Sequence, residues 1–217
     1  MKLLLESWRK YLLTEAAMGP QDLPDNVYVT IRRSGGKREG ESTTVHYSDY
    51  LGRRLRQGQD KGADPYGYVE FELMDPGRGF GHCLGAYMVI GSLAAHGWGP
   101  MLYDVAMEVT GDAGMMADRQ SLSKDAFNVW QVYMTRGDVQ KKQLDDERNT
   151  LTPDEEDNCD MDTAIQRSGL TSKDMFSGEW DDEKTAELLK DSPVMKVYTK
   201  GEGTIDKLEA MGRLIKR

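Results

Sequence analysis

Three early segments alternate apolar and polar residues with a period of two: NVYVTIRR at 26–33, STTVHYS at 42–48 and YGYVEFEL at 66–73. Their β-branched and aromatic content reads as strands. The first two are joined by SGGKREGE and the third is reached through GRRLRQGQDKGADP, so sequential antiparallel pairing is expected. An apolar run, CLGAYMVI at 83–90, reads as a fourth strand. After GSLAAHGWGP the period changes, and Met101, Leu102, Val105, Ala106 and Val109 share one helical face. A short apolar run, GMMAD at 114–118, then precedes a helix that Ser123 can cap, with Phe127, Trp130 and Met134 on one face and Gly137 at its end.

Further along, Thr152, Pro153 and Glu155 stand as a helix start with cap, first-turn proline and capping-box acid. A second helix is expected through DDEKTAELLK, then a closing strand in VMKVYTK at 194–200 and a terminal helix in TIDKLEAMGRLIKR. At the other end, residues 1–15 put Leu4, Leu5, Trp8, Tyr11 and Leu12 on one face of an amphipathic helix. Glu6, Arg9 and Lys10 interrupt it too often for a secretory signal. The following AAMGPQDLPDN, with Gly19, Pro20 and Pro24, reads as a linker over 16–25, so the folded domain is expected to begin near Asn26.

Composition narrows the function classes. The chain has 217 residues, 37 acidic and 28 basic side chains and a net charge of -9, with 38% hydrophobic residues. One domain with an extension accounts for that length, and no apolar run approaches the roughly 20 residues of a membrane span. An acidic total speaks against general nucleic-acid binding, which needs clustered Lys and Arg. The charge is also local: 138–191 holds 17 acidic and 7 basic side chains, which leaves the rest of the chain close to neutral. That stretch is expected to be a helical, solvated insertion before the last strand, or a surface for a basic partner. Two cysteines, Cys83 and Cys159, are too few for a disulfide framework or a four-thiolate zinc site, and a reduced, cytosol-like compartment is expected. Asp157, Asp160 and Asp162 lack the glycine and glutamate of a calcium loop, and no metal is expected. The basic cluster Arg53, Arg54, Arg56 and Lys61 reads as a solvated loop, or as a contact for a phosphate or an acidic partner.

The segment with most chemical content is VIGSLAAHGWGPMLYDVAM, where Gly97 and Gly99 stand between an apolar strand and the first turn of a helix. Glycines allow close backbone approach, the first-turn N–H groups are free to donate, and the helix dipole favours an anion. This is neither a Walker loop nor a dinucleotide fingerprint, since the Gly-Lys-Ser/Thr and the third glycine are missing.

Three antiparallel strands followed by strand, Gly-x-Gly loop, helix, strand and helix is an order that resembles the GNAT acetyltransferases over about 26–137. The resemblance implies an α+β fold: a mixed, mostly antiparallel central sheet flanked by helices, here with the acidic insertion and a last strand before a C-terminal helix at 201–217. It implies acetyl-CoA as co-substrate, an amine acceptor of unknown identity, and direct attack of the amine on the thioester. The family's Arg/Gln-x-x-Gly-x-Gly/Ala loop, which wraps the pyrophosphate, is matched by Ala94-Ala95-His96-Gly97-Trp98-Gly99, with alanine at the first position and His96 as a substitute contact. Met88, Val89 and Ile90 match the strand end that bonds the pantetheine arm, and Ser123 begins the match to the last motif. Trp130 stands where the family places a tyrosine to protonate the leaving thiolate, which leaves Tyr133, three residues on, as the candidate acid, with a packed core tyrosine as the alternative. Glu70, Glu72 and His82 are candidate bases. The alternative reading of the whole is a catalytically degenerate fold serving as an interaction protein.

The leader adds a second resemblance. Leu13-Thr14-Glu15 before Ala16 resembles the capsid-targeting leaders of internal head proteins in large tailed phages, cut after Leu-x-Glu. It implies a phage protein in the host cytoplasm or packaged in the head, with the capsid scaffold as partner. A helix docked on its own domain is the physical alternative.

Overall fold

The computed structural model describes residues 18–35, 41–55, 66–74, 81–95, 97–119, 122–145, 150–161 and 182–217. It is a mixed α+β fold. The strands are β1 (Tyr28–Ser34), β2 (Ser42–Ser48), β3 (Tyr68–Leu73), β4 (Tyr87–Leu93), β5 (Met115–Met116), β6 (Val139–Gln143), β7 (Lys196–Lys200) and β8 (Leu214–Lys216). Among the described residues the α-helices are α1 (Gly99–Thr110), α2 (Lys124–Thr135), α3 (Asp182–Lys190) and α4 (Thr204–Ala210). The strands form one open, mostly antiparallel sheet in the order β6-β7-β5-β4-β3-β2-β1-β8. No helix among the described residues is long and apolar enough to cross a membrane.

The chain divides into two compact units whose boundaries fall within β3, β4 and α1. The first contains residues 1–70, 91–108 and 202–217. Here β1 and β2 pair antiparallel from Tyr28↔Ser48 to Ser34↔Ser42. Alternation sends Val29, Ile31, Val45 and Tyr47 into a core completed by Met101, Leu102, Val105 and Ala106 of α1. The opposite face of the pair is polar, with the Thr30 and Ser48 hydroxyls hydrogen-bonded at 2.7 Å in the interior.

The terminal segment departs from expectation. Its helix stops at Ala210 because Gly212 takes a left-handed conformation (φ 65°), with Gly212 N–H bonded to the Glu209 carbonyl and Arg213 N–H to the Leu208 carbonyl. The residues that follow are strand β8, parallel to β1 through Val29↔Leu214 to Ile31↔Lys216.

The second unit contains 71–90 and 109–201. Strand β4 pairs parallel with β5 only at Tyr87↔Met115 and Met88↔Met116, after which β4 continues to Leu93. Strand β7 joins β5 through Met115↔Tyr198 and β6 along its whole length. Gly114 admits this closeness, since a Cβ there would lie 2.5 Å from a Val197 methyl. Met74, Cys83, Ala86, Met88, Met116, Leu144, Cys159, Met161 and Val197 make one apolar cluster.

Three expectations are corrected in this unit. The apolar run at 83–90 begins as a 3-10 turn, Cys83–Gly85, with Cys83 and Leu84 at positive φ, and extends past Ile90 instead. Cys83 and Cys159, 76 residues apart in sequence, form a disulfide, so they are not free thiols. The acidic stretch is not wholly helical: it opens with β6, and the expected helix at Thr152 is a single 3-10 turn, Glu155–Asp157. There the Thr152 hydroxyl donates to the Asp157 carboxylate, and Asp154 does the capping by accepting from Glu156 N–H. The helix expected in DDEKTAELLK is α3.

Candidate functional site

The glycine loop lies in the first unit, between the end of β4 and α1. Leu93 and Ala94 press against Gly67: a Cβ on Gly67 would fall 2.5 Å from the Leu93 carbonyl oxygen and 2.7 Å from Ala94, and its φ of +119° is one that glycine alone adopts readily. Gly97 is left-handed (φ 83°), which reverses the chain before the helix. The turn closes with Trp98 N–H donating to the Ala95 carbonyl at 3.0 Å.

Two outside donors hold the loop carbonyls. Met18 N–H donates to the Gly97 carbonyl at 2.9 Å, and the Tyr47 phenol donates to the Trp98 carbonyl at 2.7 Å. Burial pushes the Tyr47 pKa well above the ordinary tyrosine value, so the phenol keeps its proton and stays a donor. The C=O and N–H of one planar trans peptide point in opposite directions. With its carbonyl turned to Tyr47, the 98–99 peptide therefore directs Gly99 N–H the other way, among the donors of the first turn of α1 that lack intrahelical acceptors. Pro100 supplies none. A Cβ on Gly99 would meet only the Ala94 methyl, at 3.5 Å.

Aromatic rings brace the loop. The Trp98 ring centroid lies 5.0 Å from that of Tyr47 and 4.4 Å from that of Tyr66, both edge-on. On α1, the Tyr103 phenol donates to the Ser92 hydroxyl at 3.0 Å, which ties the helix to the end of β4. Tyr47, Tyr66, Tyr103 and Ser92 are absent from the sequence-derived candidates. An aromatic on a strand announces only a core position, and its hydrogen bond to a loop 51 residues away leaves no local pattern.

The remaining candidates occupy separate places. In the second unit Met88 and Val89 are consecutive and buried while Ile90 is exposed. Ser123 caps α2 as expected, accepting from Ala126 N–H at 3.1 Å. Trp130 and Tyr133 are buried on that helix, and the Trp130 ring stacks on Tyr198 at 5.1 Å. Tyr133 is 1% exposed, 6.4 Å from the Tyr198 ring, with the Arg136 guanidinium 4.9 Å over its own ring. Glu72 is half-buried on β3, and His82 is exposed just before the 3-10 turn, its carbonyl accepting from Gly85 N–H. Glu70, in the first unit, accepts from the Ser42 hydroxyl at 3.2 Å. His96, Arg56, Lys61, Asp162 and the leader lie outside the described residues. Gly97, Trp98 and Gly99 are thus consecutive at the entry to α1, while Trp130 and Tyr133 lie on α2, which Ser123 caps.

Among the described residues no group of three or more His, Cys, Asp or Glu side chains could hold a metal ion. No family model, no curated protein and no solved structure matches the chain.

Proposed function

We propose that this chain is an acyl-CoA-dependent N-acetyltransferase of GNAT type. The observation that carries the reading is the glycine loop. Its Gly97 and Trp98 carbonyls are engaged by Met18 and Tyr47, which turns Gly99 N–H away from Tyr47, and a Cβ on Gly99 would meet only the Ala94 methyl. That is the arrangement an anionic pyrophosphate needs. The element order supports it as well, together with a parallel β4–β5 pairing that ends after Met88↔Met116.

In this reading the donors at Gly97–Gly99 take the pyrophosphate of acetyl-CoA. The acceptor amine attacks the thioester carbonyl, a C–N bond forms and the C–S bond breaks. Glu72 or His82 takes the amine proton and Tyr133 supplies one to the thiolate. Calorimetric titration with acetyl-CoA is the test, paired with a thiol-release assay over a set of amines. Saturable binding that Gly97→Arg abolishes is expected, and absence of binding at millimolar acetyl-CoA would refute the proposal.

A second reading, a catalytically degenerate fold carried in a phage head, is favoured by the deep burial of Tyr133 and by alanine at position 94. It expects acetyl-CoA to be neither bound nor turned over, and particle-derived protein to begin at Ala16. An intact Met1 peptide from purified particles would count against it.

A further inference from the structure

In the second unit, the residues before β4 form a turn that their own backbone preferences do not favour. Cys83 and Leu84 are left-handed, at φ 45° and 55°, and both carry a Cβ. Gly85 N–H donates to the His82 carbonyl at 2.8 Å and Ala86 N–H to the Cys83 carbonyl at 3.0 Å, which closes the turn. The apolar run CLGAYMVI is equally suited to extended backbone, so a strand and a turn compete for 83–86.

A second segment decides between them. The Asn158 carbonyl accepts from Cys83 N–H at 2.9 Å, and Gly81 forms an antiparallel bridge with Cys159. The approach is close: Gly81 is left-handed, and a Cβ there would lie 2.7 Å from the Asn158 carbonyl oxygen and 3.0 Å from the Asp160 nitrogen. The Cys83–Cys159 disulfide then joins the two segments covalently across 76 residues. Its cysteines are 0% and 1% exposed, but His82 and Asp160, next to them in the chain, are at the surface. Opening of a few residues is therefore enough to bring a reductant to the sulfurs.

We propose that Cys83–Cys159 is a redox clasp: oxidised, it holds 81–86 as a turn against 155–161; reduced, it lets the segments part and 83–86 become extended. A small dithiol is the reductant. One of its thiolates attacks a cysteine sulfur, the S–S bond breaks, and the other cysteine leaves as a thiolate that takes a proton. The second dithiol sulfur then displaces the remaining cysteine, which is protonated in turn, and the dithiol ends as a cyclic disulfide. Two electrons and two protons reach the protein in all. With the link closed, Cys83 and Cys159 cannot separate and the opened state is restricted. With it broken, only hydrogen bonds and packing oppose the left-handed cost at Cys83 and Leu84. The segment set free carries the exposed Glu155, Glu156 and Asp160, so redox state governs how that acidic surface is held. The clasp does not depend on acetyl-CoA binding.

Amide hydrogen exchange of the full-length protein, before and after anaerobic reduction with dithiothreitol, tests this. Both cysteines should alkylate in denaturant only after reduction. Exchange at 82–86 and 157–161 is expected to quicken about tenfold or more on reduction, to stay unchanged in β1 and β2, and to recover on reoxidation. Leu84→Gly removes one left-handed penalty and should cut the quickening about fivefold or more. A protein with Cys83→Ser and Cys159→Ser should exchange as the reduced chain does, and reduction of the wild type gives the same comparison if that variant does not fold. Alkylation of both thiols in denaturant without reduction would overturn the proposal. So would unchanged exchange at the two segments after reduction, a Leu84→Gly protein that quickens as much as wild type, or equal quickening in β1 and β2, which would make the disulfide a staple for the whole fold.

Discussion

The Tyr47 hydroxyl donates to the carbonyl of Trp98 at 2.7 Å, so a residue near the end of β2 sets the direction of a peptide bond at the entry to α1. Both side chains also meet ring to ring, at 5.0 Å. Tyr47→Phe keeps the ring contact and removes only the donor. The Trp98 carbonyl then loses its partner, which is expected to cost about 1–2 kcal/mol of stability, a typical penalty for an unmet buried acceptor. If the glycine loop binds acetyl-CoA, the variant should also bind it more weakly, because the 98–99 peptide is freed to rotate. Urea denaturation and calorimetry read the two effects separately. A variant with unchanged stability would show that the hydrogen bond does not hold the loop.

Gly67 holds the same loop from the other side. Alanine there would face both a left-handed φ of +119° and the Leu93 carbonyl at 2.5 Å, and neither the carbonyl nor the Ala94 backbone can yield without moving the end of β4. A loss of about 2–4 kcal/mol is expected from combined backbone strain and overpacking. Gly111 is the control: it is left-handed at φ +57° with nothing within 4 Å of a Cβ, so alanine there should cost only about 1 kcal/mol. Thermal melts of the two variants decide it, and equal losses would mean that the close approach at Leu93 carries no energy.

What could be read from the amino acids follows how local each cause is. Strands β1, β2 and β3 alternate visibly because one face is buried and the other polar, and α1 and α2 show their faces and the Ser123 cap for the same reason. Strand β6 was hidden: VQKKQ buries only Val139, and its pairing comes from β7, more than 50 residues away. At Cys83 an apolar run reads equally as strand or as core turn, and the turn is chosen by Asn158, whose carbonyl takes the Cys83 N–H, and by Cys159. Gly212 carries the signal for the end of α4, and the terminal helix expected through TIDKLEAMGRLIKR runs past it. At the candidate site the two glycines were legible as a loop. The donors that orient it, Tyr47 and Met18, were not.

Helix α4 has its start supported by a distant acid. The Glu108 carboxylate on α1 accepts from Thr204 N–H at 2.8 Å and Ile205 N–H at 2.7 Å, so a full negative charge sits on the positive end of the helix dipole. Glu108→Gln retains one acceptor oxygen and loses the charge, and a cost of about 1–2 kcal/mol is expected from the weakened cap. Because α4 leads through Gly212 into β8, amide exchange should quicken at Leu208 and along Leu214–Lys216 more than in β6. Uniform quickening across the molecule would contradict a local capping role.

His46 ties stability to pH. In the folded chain its pKa is lowered to about 4, first by burial and then by Arg54, whereas an unfolded histidine titrates near 6.5. Between these values the unfolded state binds a proton that the folded state refuses, so stability falls as the pH drops from 6.5 toward 4 and levels off once His46 protonates in the native chain as well. The full contribution of this group is about 3 kcal/mol. His46→Gln should therefore flatten the stability profile across that window and leave it unchanged above pH 7. Asp157 bears on the same range, since burial raises its pKa and keeps it protonated to higher pH than an unfolded aspartate; that favours the folded state as pH falls and partly offsets the loss from His46. Urea midpoints measured at half-unit steps from pH 4 to 8 give the comparison. If wild type and His46→Gln keep parallel slopes below pH 6.5, the imidazole is not held neutral in the fold.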